Sequence, residues 1–280
     1  MVGHSSETWA FQTIRTATSA AARTIPGPER SVNVAIELNP SLDPHALAAE
    51  YRNNKRRMQI RGFLAGDGAQ SVYRDLHELP WAMAYNDGDS VVQLSAERLA
   101  ELSNSEAAAM MAGIRERARG QYQFLYSFFP ILNAYFSPEA PSFPIFGFYE
   151  FINSAPVIEF VRTVTGLKDI GWADAQATWF KPGHFLKAHN DQHSGEGRLA
   201  AYVMNLSPVW ERDWGGFLQF FDENDNIEAA FKPTFNTLNI FTVPQLHSVS
   251  MVSTYVNAER LAVTGWFRAD AAPAQIRNRG

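Results

Sequence analysis

The sequence predicts a mostly β core supported by helices (α+β). The prediction follows from helix signals in the first half, short strand signals in the second half and a large apolar content. From Ala173 onward, short apolar runs alternate with turn signals such as Pro182-Gly183 and Lys232-Pro233. Eight short strands at this spacing are typical of a barrel or a two-sheet jelly roll. They are expected at 175–180, 185–189, 198–206, 217–221, 227–231, 237–241, 247–252 and 261–267. With 280 residues and 46% hydrophobic content, the chain can bury a large core.

The half before residue 173 carries helix-start signals. Asp43 offers an N-cap oxygen and Pro44 suits the first helical position, so a helix is predicted at 44–56. Asp87-Gly88 predicts a hairpin turn. The remaining predicted elements are a strand at 31–38, hairpin strands at 81–85 and 90–94, and helices at 67–79, after Ser95, from Ser105 toward Tyr126, and at 154–166.

These signals divide the chain into four parts. Residues 1–30 read as a flexible N-terminal arm that ends in Ile25-Pro26-Gly27-Pro28. Residues 31–170 form a mainly helical support region, 171–270 the β core and catalytic part, and 271–280 a C-terminal tail.

The amino-acid composition limits which classes of function the chain can have. There is no cysteine, so disulfides and thiolate metal sites are excluded and a metal must take imidazole and oxygen ligands. The net charge of −5 argues against a nucleic-acid partner. No apolar run reaches the roughly 18 residues needed to span a bilayer, and no secretory signal is recognisable. We therefore expect a cytoplasmic protein without a membrane partner.

Three residues stand out as metal ligands: His189, Asp191 and His247. If His189 and Asp191 lie on one strand, the alternation of side chains puts both on the same face. His247 adds a second imidazole from a later segment. Two histidines and one carboxylate on one side of an ion suit a non-haem Fe(II) centre that keeps positions open for other ligands.

Arg260 begins the last predicted strand. On that strand Arg260, Ala262, Thr264 and Trp266 share one face. An arginine that points into a barrel is costly unless an anion meets it, and its planar fork is shaped for a carboxylate. The distal carboxylate of a metal-bound 2-oxoglutarate would be such a partner. A surface arginine at a strand start is the alternative.

Four segments carry a family resemblance: 182–191, 195–199, 210–216 and 260–267. They resemble the Fe(II)- and 2-oxoglutarate-dependent dioxygenases of the prolyl-hydroxylase-like branch, especially the ribosomal-protein and oxygen-sensing prolyl hydroxylases. The resemblance implies a double-stranded β-helix (jelly roll, cupin-like) with N-terminal helices packed on one sheet. It also implies iron on His189, Asp191 and His247, 2-oxoglutarate on Arg260, dioxygen as second cosubstrate, stimulation by ascorbate, and succinate and CO2 as coproducts.

The chain departs from this family in a few positions. Asn205 stands where relatives often have a tyrosine that binds 2-oxoglutarate, and Thr264 can replace a serine lost at Ala262, so Asn205 and Thr264 are predicted to bind the cosubstrate. Phe180 stands near the position of another family tyrosine. Residues predicted to line the substrate channel or support the ligands are Phe180, Leu186, His193 and Trp266.

The sequence leaves three functions open. The first is hydroxylation of a prolyl residue in a protein or peptide. The second keeps the same cofactors but takes a free amino acid or another small-molecule substrate. The third is a metal-binding barrel without enzymatic activity, which would not turn over 2-oxoglutarate.

Overall fold

The computed structural model describes residues 35–192 and 197–273, which hold seven helices and thirteen strands. The helices are α1 Pro44–Asn53, α2 Gly68–His77, α3 Ala96–Ala100, α4 Asn104–Gly120, α5 Ile131–Phe136, α6 Phe146–Ile152 and α7 Ala155–Thr165. The strands are β1 Arg57–Arg61, β2 Ala82–Asp87, β3 Ser90–Leu94, β4 Phe124–Phe129, β5 Trp172–Ala173, β6 Gln176–Phe180, β7 Phe185–His189, β8 Arg198–Asn205, β9 Leu218–Phe221, β10 Ile227–Phe231, β11 Thr237–Thr242, β12 His247–Val249 and β13 Arg260–Arg268. No helix in these ranges is long and apolar enough to cross a bilayer.

The strands form one antiparallel sheet that curls into a nearly closed barrel. Hydrogen-bonded neighbours follow the order β1-β11-β8-β13-β6-β4-β7-β12-β9-β10, while β2 and β3 extend from β4 and β5 pairs with β13. β4 joins the two halves of the barrel because it pairs with both β6 and β7. Across the remaining gap, Glu228 of β10 forms ion pairs with Lys55 and with Arg57 of β1.

The largest core lies between the helices and one face of this sheet. Alternate residues of three central strands, such as Met204, Ile240 and Val263, point to the helices, where Val157 and Val161 of α7 meet them. Each such aliphatic side chain stabilises the fold by roughly 1.5–3 kcal/mol when it is fully buried. The opposite faces of the same strands line the barrel interior. This arrangement confirms the predicted double-stranded β-helix with helices on one sheet.

Most local predictions are confirmed. Asp43 caps α1 by accepting hydrogen bonds from the backbone N–H groups of His45 and Ala46, as expected for a helix that starts at Pro44. α7 ends at Gly166, whose φ of 75° fits a left-handed C-terminal glycine. The hairpin of β2 and β3 and all eight strands predicted after Ala173 are present, with ends that differ by a few residues.

Three predictions need correction. α4 is capped by Ser103 rather than Ser105, and it ends at Gly120 instead of continuing toward Tyr126. The aromatic segment after it is the fully buried strand β4, because both of its faces are covered. The helix predicted at 44–56 ends at Asn53, and Arg57–Arg61 after it is strand β1, which was not predicted and pairs with β11. Of the strand predicted at 31–38, residues 31–34 lie outside the described residues, and Leu38 forms only an isolated bridge with Leu64.

Candidate metal centre and cosubstrate chamber

The three predicted metal ligands meet at one end of the barrel. β7 ends at His189 and β12 begins at His247, and these two residues are directly paired in the sheet. Asp191 lies between the two imidazoles, with its Oδ1 3.3 Å from His189 Nε2 and its Oδ2 3.4 Å from His247 Nε2. One ligand atom from each residue lies within 4.8 Å of the others, a spacing that can hold a single metal ion.

Asp191 reaches this position by a route that the sequence did not predict. It does not share a strand with His189, because β7 has ended and Asp191 adopts φ 59°. Aspartate tolerates this left-handed conformation better than most residues. The turn is supported by Asn190, whose side-chain oxygen accepts a hydrogen bond from the Gln192 N–H at 3.1 Å. The strand premise was therefore wrong, although the carboxylate still joins the imidazoles.

Backbone carbonyls orient both imidazoles. His189 Nδ1 lies 2.9 Å from the Lys187 oxygen, and His247 Nδ1 lies 2.7 Å from the Gln245 oxygen. A carbonyl can only accept, so Nδ1 is the hydrogen-bond donor in each ring, and Nε2 is the atom that faces Asp191. Hydrogen bonds of this kind are the usual means by which proteins orient metal-binding histidines.

The electrostatics of the three residues suit a divalent cation. Burial disfavours the charged form of Asp191, but attraction to His247 and His189 outweighs burial and holds its pKa well below the usual range. Burial and repulsion from His189 lower the pKa of His247 to about 4. Asp191 is thus ionised and His247 neutral at neutral pH, which are the forms that bind a metal. Burial disfavours the charged form of His189, but attraction to Asp191 outweighs burial and raises the pKa of His189, so a metal ion would displace a proton from this ring. The donor set and its geometry fit Fe(II).

Arg260 lies deeper in the barrel and is 2% exposed. Its Nε donates a hydrogen bond of 2.6 Å to the Gly216 oxygen, and its guanidinium stacks over Phe180 at 4.6 Å from the ring centroid. Burial alone lowers its pKa to about 9, with no carboxylate among the causes. Within the described ranges no carboxylate pairs with it, so an incoming anion would supply the missing charge.

Gly216 makes room for this arginine. Its φ of 66° favours glycine, and a Cβ there would lie 2.9 Å from Arg260 Cδ and 3.1 Å from the Trp210 ring. A side chain at position 216 would therefore displace the guanidinium that its own carbonyl holds.

An aromatic wall connects the two ends of the chamber. Tyr126 of β4 stacks on Phe180 at 5.2 Å and 21°, and Phe124 lies 5.2 Å from Tyr126 in the other direction. Tyr122, 36% exposed, continues the row, with its ring 5.9 Å from the His189 imidazole. Sequence reasoning missed the positions of Tyr122 and Tyr126. The stop signal at Gly120, followed by a β-prone aromatic run, could have indicated this strand.

Asn205 and Thr264, which were both predicted to bind the cosubstrate, have different surroundings in the structure. Asn205 is buried, but its Nδ2 already donates to the Val203 and Thr237 oxygens at 3.2 and 3.0 Å. Its side-chain oxygen is buried without a hydrogen-bond partner among the described residues, so the amide donors expected to bind the cosubstrate are used within the protein. Thr264 is half-buried on the face of β13 that carries Arg260. The roles of both residues stay predictions.

The other predicted site residues are spread over the chamber and its rim. Trp266 lies near Asp191, and the Arg198 guanidinium covers its ring at 3.7 Å. Leu186 pairs with Phe124 and packs against the interior apolar cluster. His184 is buried away from the three ligands, and burial lowers its pKa to about 4. His193 lies outside the described residues.

Comparison with known proteins agrees with this geometry. Residues 175–268 match the model of the 2OG-Fe(II) oxygenase superfamily. Prolyl 3-hydroxylase OGFOD1 from Mus musculus is 34% identical over 89 residues, and its Xenopus laevis counterpart is 35% identical over 89 residues. Each alignment covers 29% of this chain but only 16% and 17% of the respective relative. The resemblance to the prolyl-hydroxylase-like branch is confirmed.

Solved structures share this fold. A Trichoplax adhaerens prolyl hydroxylase, solved with a peptide fragment of the hypoxia inducible factor oxygen degradation domain, has a TM-score of 0.53 and 17% identity, covering 81% of this chain and 90% of its own. A 2OG-Fe(II) oxygenase family oxidoreductase from Burkholderia pseudomallei has a TM-score of 0.51 and 13% identity, covering 84% and 94%. At this low identity the likeness concerns the fold alone.

Proposed function

We propose that this protein is an Fe(II)- and 2-oxoglutarate-dependent dioxygenase that hydroxylates a prolyl residue of a protein or peptide, with succinate and CO2 as coproducts. One observation carries the proposal. The same barrel interior holds a ligand set suited to iron and a buried guanidinium that has no counter-charge among the described residues. A dicarboxylate can bind the iron with one end and the guanidinium with the other. A cytoplasmic location and stimulation by ascorbate, both expected at the sequence level, belong to this proposal.

Each residue has a defined part in this function. His189, Asp191 and His247 would hold the metal, and iron bound there supplies the activation of dioxygen and the oxidation of the C–H bond. Arg260 would bind one carboxylate of 2-oxoglutarate through its planar fork. Tyr126, Phe180 and the apolar residues around them keep water away from the chamber, which strengthens both electrostatic contacts.

The shape of the metal end favours a large substrate. The His189 side chain keeps 20% of its surface exposed, and the half-exposed Tyr122 ring stands beside it. A polypeptide can approach such an open rim, whereas a small metabolite is usually enclosed in a pocket. The sequence relatives carry the name prolyl 3-hydroxylase, which supports a prolyl target. Hydroxylation of a small molecule is the second candidate.

The test begins with cosubstrate turnover. Fe(II) and 2-oxoglutarate are added without oxygen, oxygen is admitted, and succinate is measured for the wild type, His189→Ala and the control His45→Ala, which changes an exposed histidine on α1. We expect the turnover of His189→Ala to be more than about 100-fold lower than that of the wild type. Mutation of residues that only orient metal ligands already lowers metal affinity or activity about 10–100-fold. The control should match the wild type. Equal succinate from all three proteins would remove the enzymatic proposal.

The substrate class is tested in the same assay. A pooled peptide digest and a mixture of free amino acids are offered separately, and mass spectrometry locates any added oxygen atom. Oxygen on prolyl residues of peptides supports the first candidate. Oxygen only on free amino acids supports the small-molecule alternative instead.

A further inference from the structure

The connection between β11 and β12 contains Gln245, which makes hydrogen bonds in two directions. Its backbone oxygen lies 2.7 Å from Nδ1 of the His247 imidazole. Its side-chain Nε2 donates to the backbone oxygens of Lys55 and Arg56, at 3.2 Å each. One residue thus connects a candidate metal ligand with a turn that lies almost 190 positions earlier in the chain.

The turn that receives Gln245 has an unusual conformation. Lys55 and Arg56 have φ values of 55° and 57°, a left-handed conformation that is unfavourable for residues other than glycine. Such conformations persist where the surrounding structure holds them in place. Here the Arg56 N–H donates to the Tyr51 oxygen at 2.9 Å, and the Arg56 oxygen also accepts from the Thr242 N–H at 3.0 Å.

A second contact fixes the same turn to β11. The Tyr51 hydroxyl and the Thr242 hydroxyl lie 2.7 Å apart, and Tyr51 is fully buried in α1. The turn between α1 and β1 is therefore anchored on both sides of the point where Gln245 binds. The backbone oxygens of Lys55 and Arg56, which accept from Gln245, are therefore held in fixed positions.

From these contacts we infer that Gln245 is a positioning residue for the metal ligand His247. Its side chain holds the β11–β12 connection against the α1–β1 turn, so that its backbone oxygen stays in place to orient the imidazole. The turn lies outside residues 175–268, which match the family model, and it forms part of the support of the metal centre. This inference rests on the metal binding in the proposed function, but not on the identity of the substrate.

A purely structural role for Gln245 makes a different prediction. If its amide only stabilised the fold, its loss would lower the melting temperature and leave the metal affinity of the folded protein unchanged. Gln59 provides a matched comparison, because its Nε2 also makes two such bonds, to the Lys232 oxygen at 3.1 Å and to Asn239 Oδ1 at 3.0 Å. Neither acceptor belongs to the segment that carries His247.

The experiment uses Gln245→Met and Gln59→Met in the full chain, since methionine keeps the length of the side chain and removes the donors. Circular dichroism and thermal melting of the metal-free proteins measure folding. Titration with Co(II), followed by its visible absorption and by tryptophan fluorescence, measures metal affinity and ligand geometry. We expect Gln245→Met to bind Co(II) about 10-fold more weakly, the lower end of the range for partners of metal ligands. Gln59→Met should bind as the wild type does.

Three outcomes decide the question. Weaker binding and an altered Co(II) spectrum in Gln245→Met alone support the inference. Equal affinity in the two variants, whether both match the wild type or both fall short of it, overturns it while the proposed metal site stands. If the wild type itself binds Co(II) no better than His189→Ala, the metal site of the proposed function fails and the inference fails with it.

Discussion

The two ends of the barrel interior differ in whether protein groups compensate a buried charge. At the metal end, the Asp191 carboxylate lies between two imidazoles within 3.4 Å, so the protein compensates its own charge. At the deep end, Arg260 is buried as a cation, and among the described residues its guanidinium interacts only with the Gly216 carbonyl, to which it donates a hydrogen bond, and with the Phe180 ring. The first site is electrostatically satisfied without a ligand, and the second is not.

The difference indicates which kind of ligand would suit each end. A metal ion can replace the protons that the imidazoles would otherwise take up, because Asp191 and the Nε2 atoms already face one point. The guanidinium can recover its desolvation cost only from an anion. The unliganded protein therefore carries an unfavourable contribution to its stability at the deep end, and a bound carboxylate would relieve it.

The largest effect is expected from Arg260→Met, which removes the uncompensated charge and keeps an unbranched side chain. The KM for 2-oxoglutarate should rise roughly 100-fold, because truncating one partner of a buried charge pair costs about 3 kcal/mol. The melting temperature of the ligand-free protein should rise at the same time, since a buried charge without a partner has been removed. Succinate kinetics and thermal melting measure the two quantities.

Arg57→Met is the control for this change. Arg57 is also buried, but it pairs with Glu228, so its loss leaves a partly buried carboxylate without that partner and should lower the melting temperature. If Arg260→Met also lowered the melting temperature, the buried guanidinium would not destabilise the ligand-free protein. The contrast between the two ends would then be wrong.

A smaller effect is expected at the rim of the metal end. Tyr122→Ala should raise the KM for a peptide substrate about fivefold to tenfold, because an aromatic contact contributes roughly 1 kcal/mol. The KM for 2-oxoglutarate should not change, since that cosubstrate binds in the interior. Tyr255→Ala, at a ring that is 68% exposed and on another loop, is the matched control. A peptide KM that is unchanged in Tyr122→Ala would place the substrate elsewhere on the rim.

The sequence predicted which residues lie at the two ends better than it predicted the elements that support them. His189, Asp191, His247 and Arg260 could be found because their residue types and order match a pattern that the chemistry requires. The inward face of β13 followed from simple alternation, and the structure has the expected alternation of Arg260 with the helix-facing Leu261. Propensity and turn signals were sufficient for the strands that are buried on one face.

Other features could not be predicted, for physical reasons. β4 is apolar on both faces, so its sequence shows no period of two that would separate it from a helix. β1 carries Arg57, Gln59 and Arg61, and it becomes a strand only through pairing with β11. The support that Gln245 gives to His247 depends on a turn far away in sequence, and no local pattern encodes such a contact.

The smallest expected effect lies beside the deep end, where His77 on α2 contacts Glu259, the neighbour of Arg260. His77 Nε2 lies 2.8 Å from Glu259 Oε2, and Nδ1 lies 2.9 Å from the Tyr73 oxygen. Burial disfavours the charged ring, but the bonds to Tyr73 and Glu259 outweigh burial and raise the pKa of His77. A raised pKa in the folded state adds stability that is fully present below the unfolded value of about 6.5 and is lost as the pH rises through the folded value.

Because this pair is largely exposed, the gain should stay below about 1 kcal/mol. His77→Gln should therefore cost stability at about pH 5 and very little at about pH 8, a difference that urea unfolding of both proteins at each pH can measure. The variant should leave the KM for 2-oxoglutarate unchanged, because the pair lies outside the chamber. An equal cost at both pH values would mean that the charge of His77 contributes nothing. A changed KM would instead show that Glu259 helps to place Arg260, and that the deep end depends on charges beyond the barrel wall.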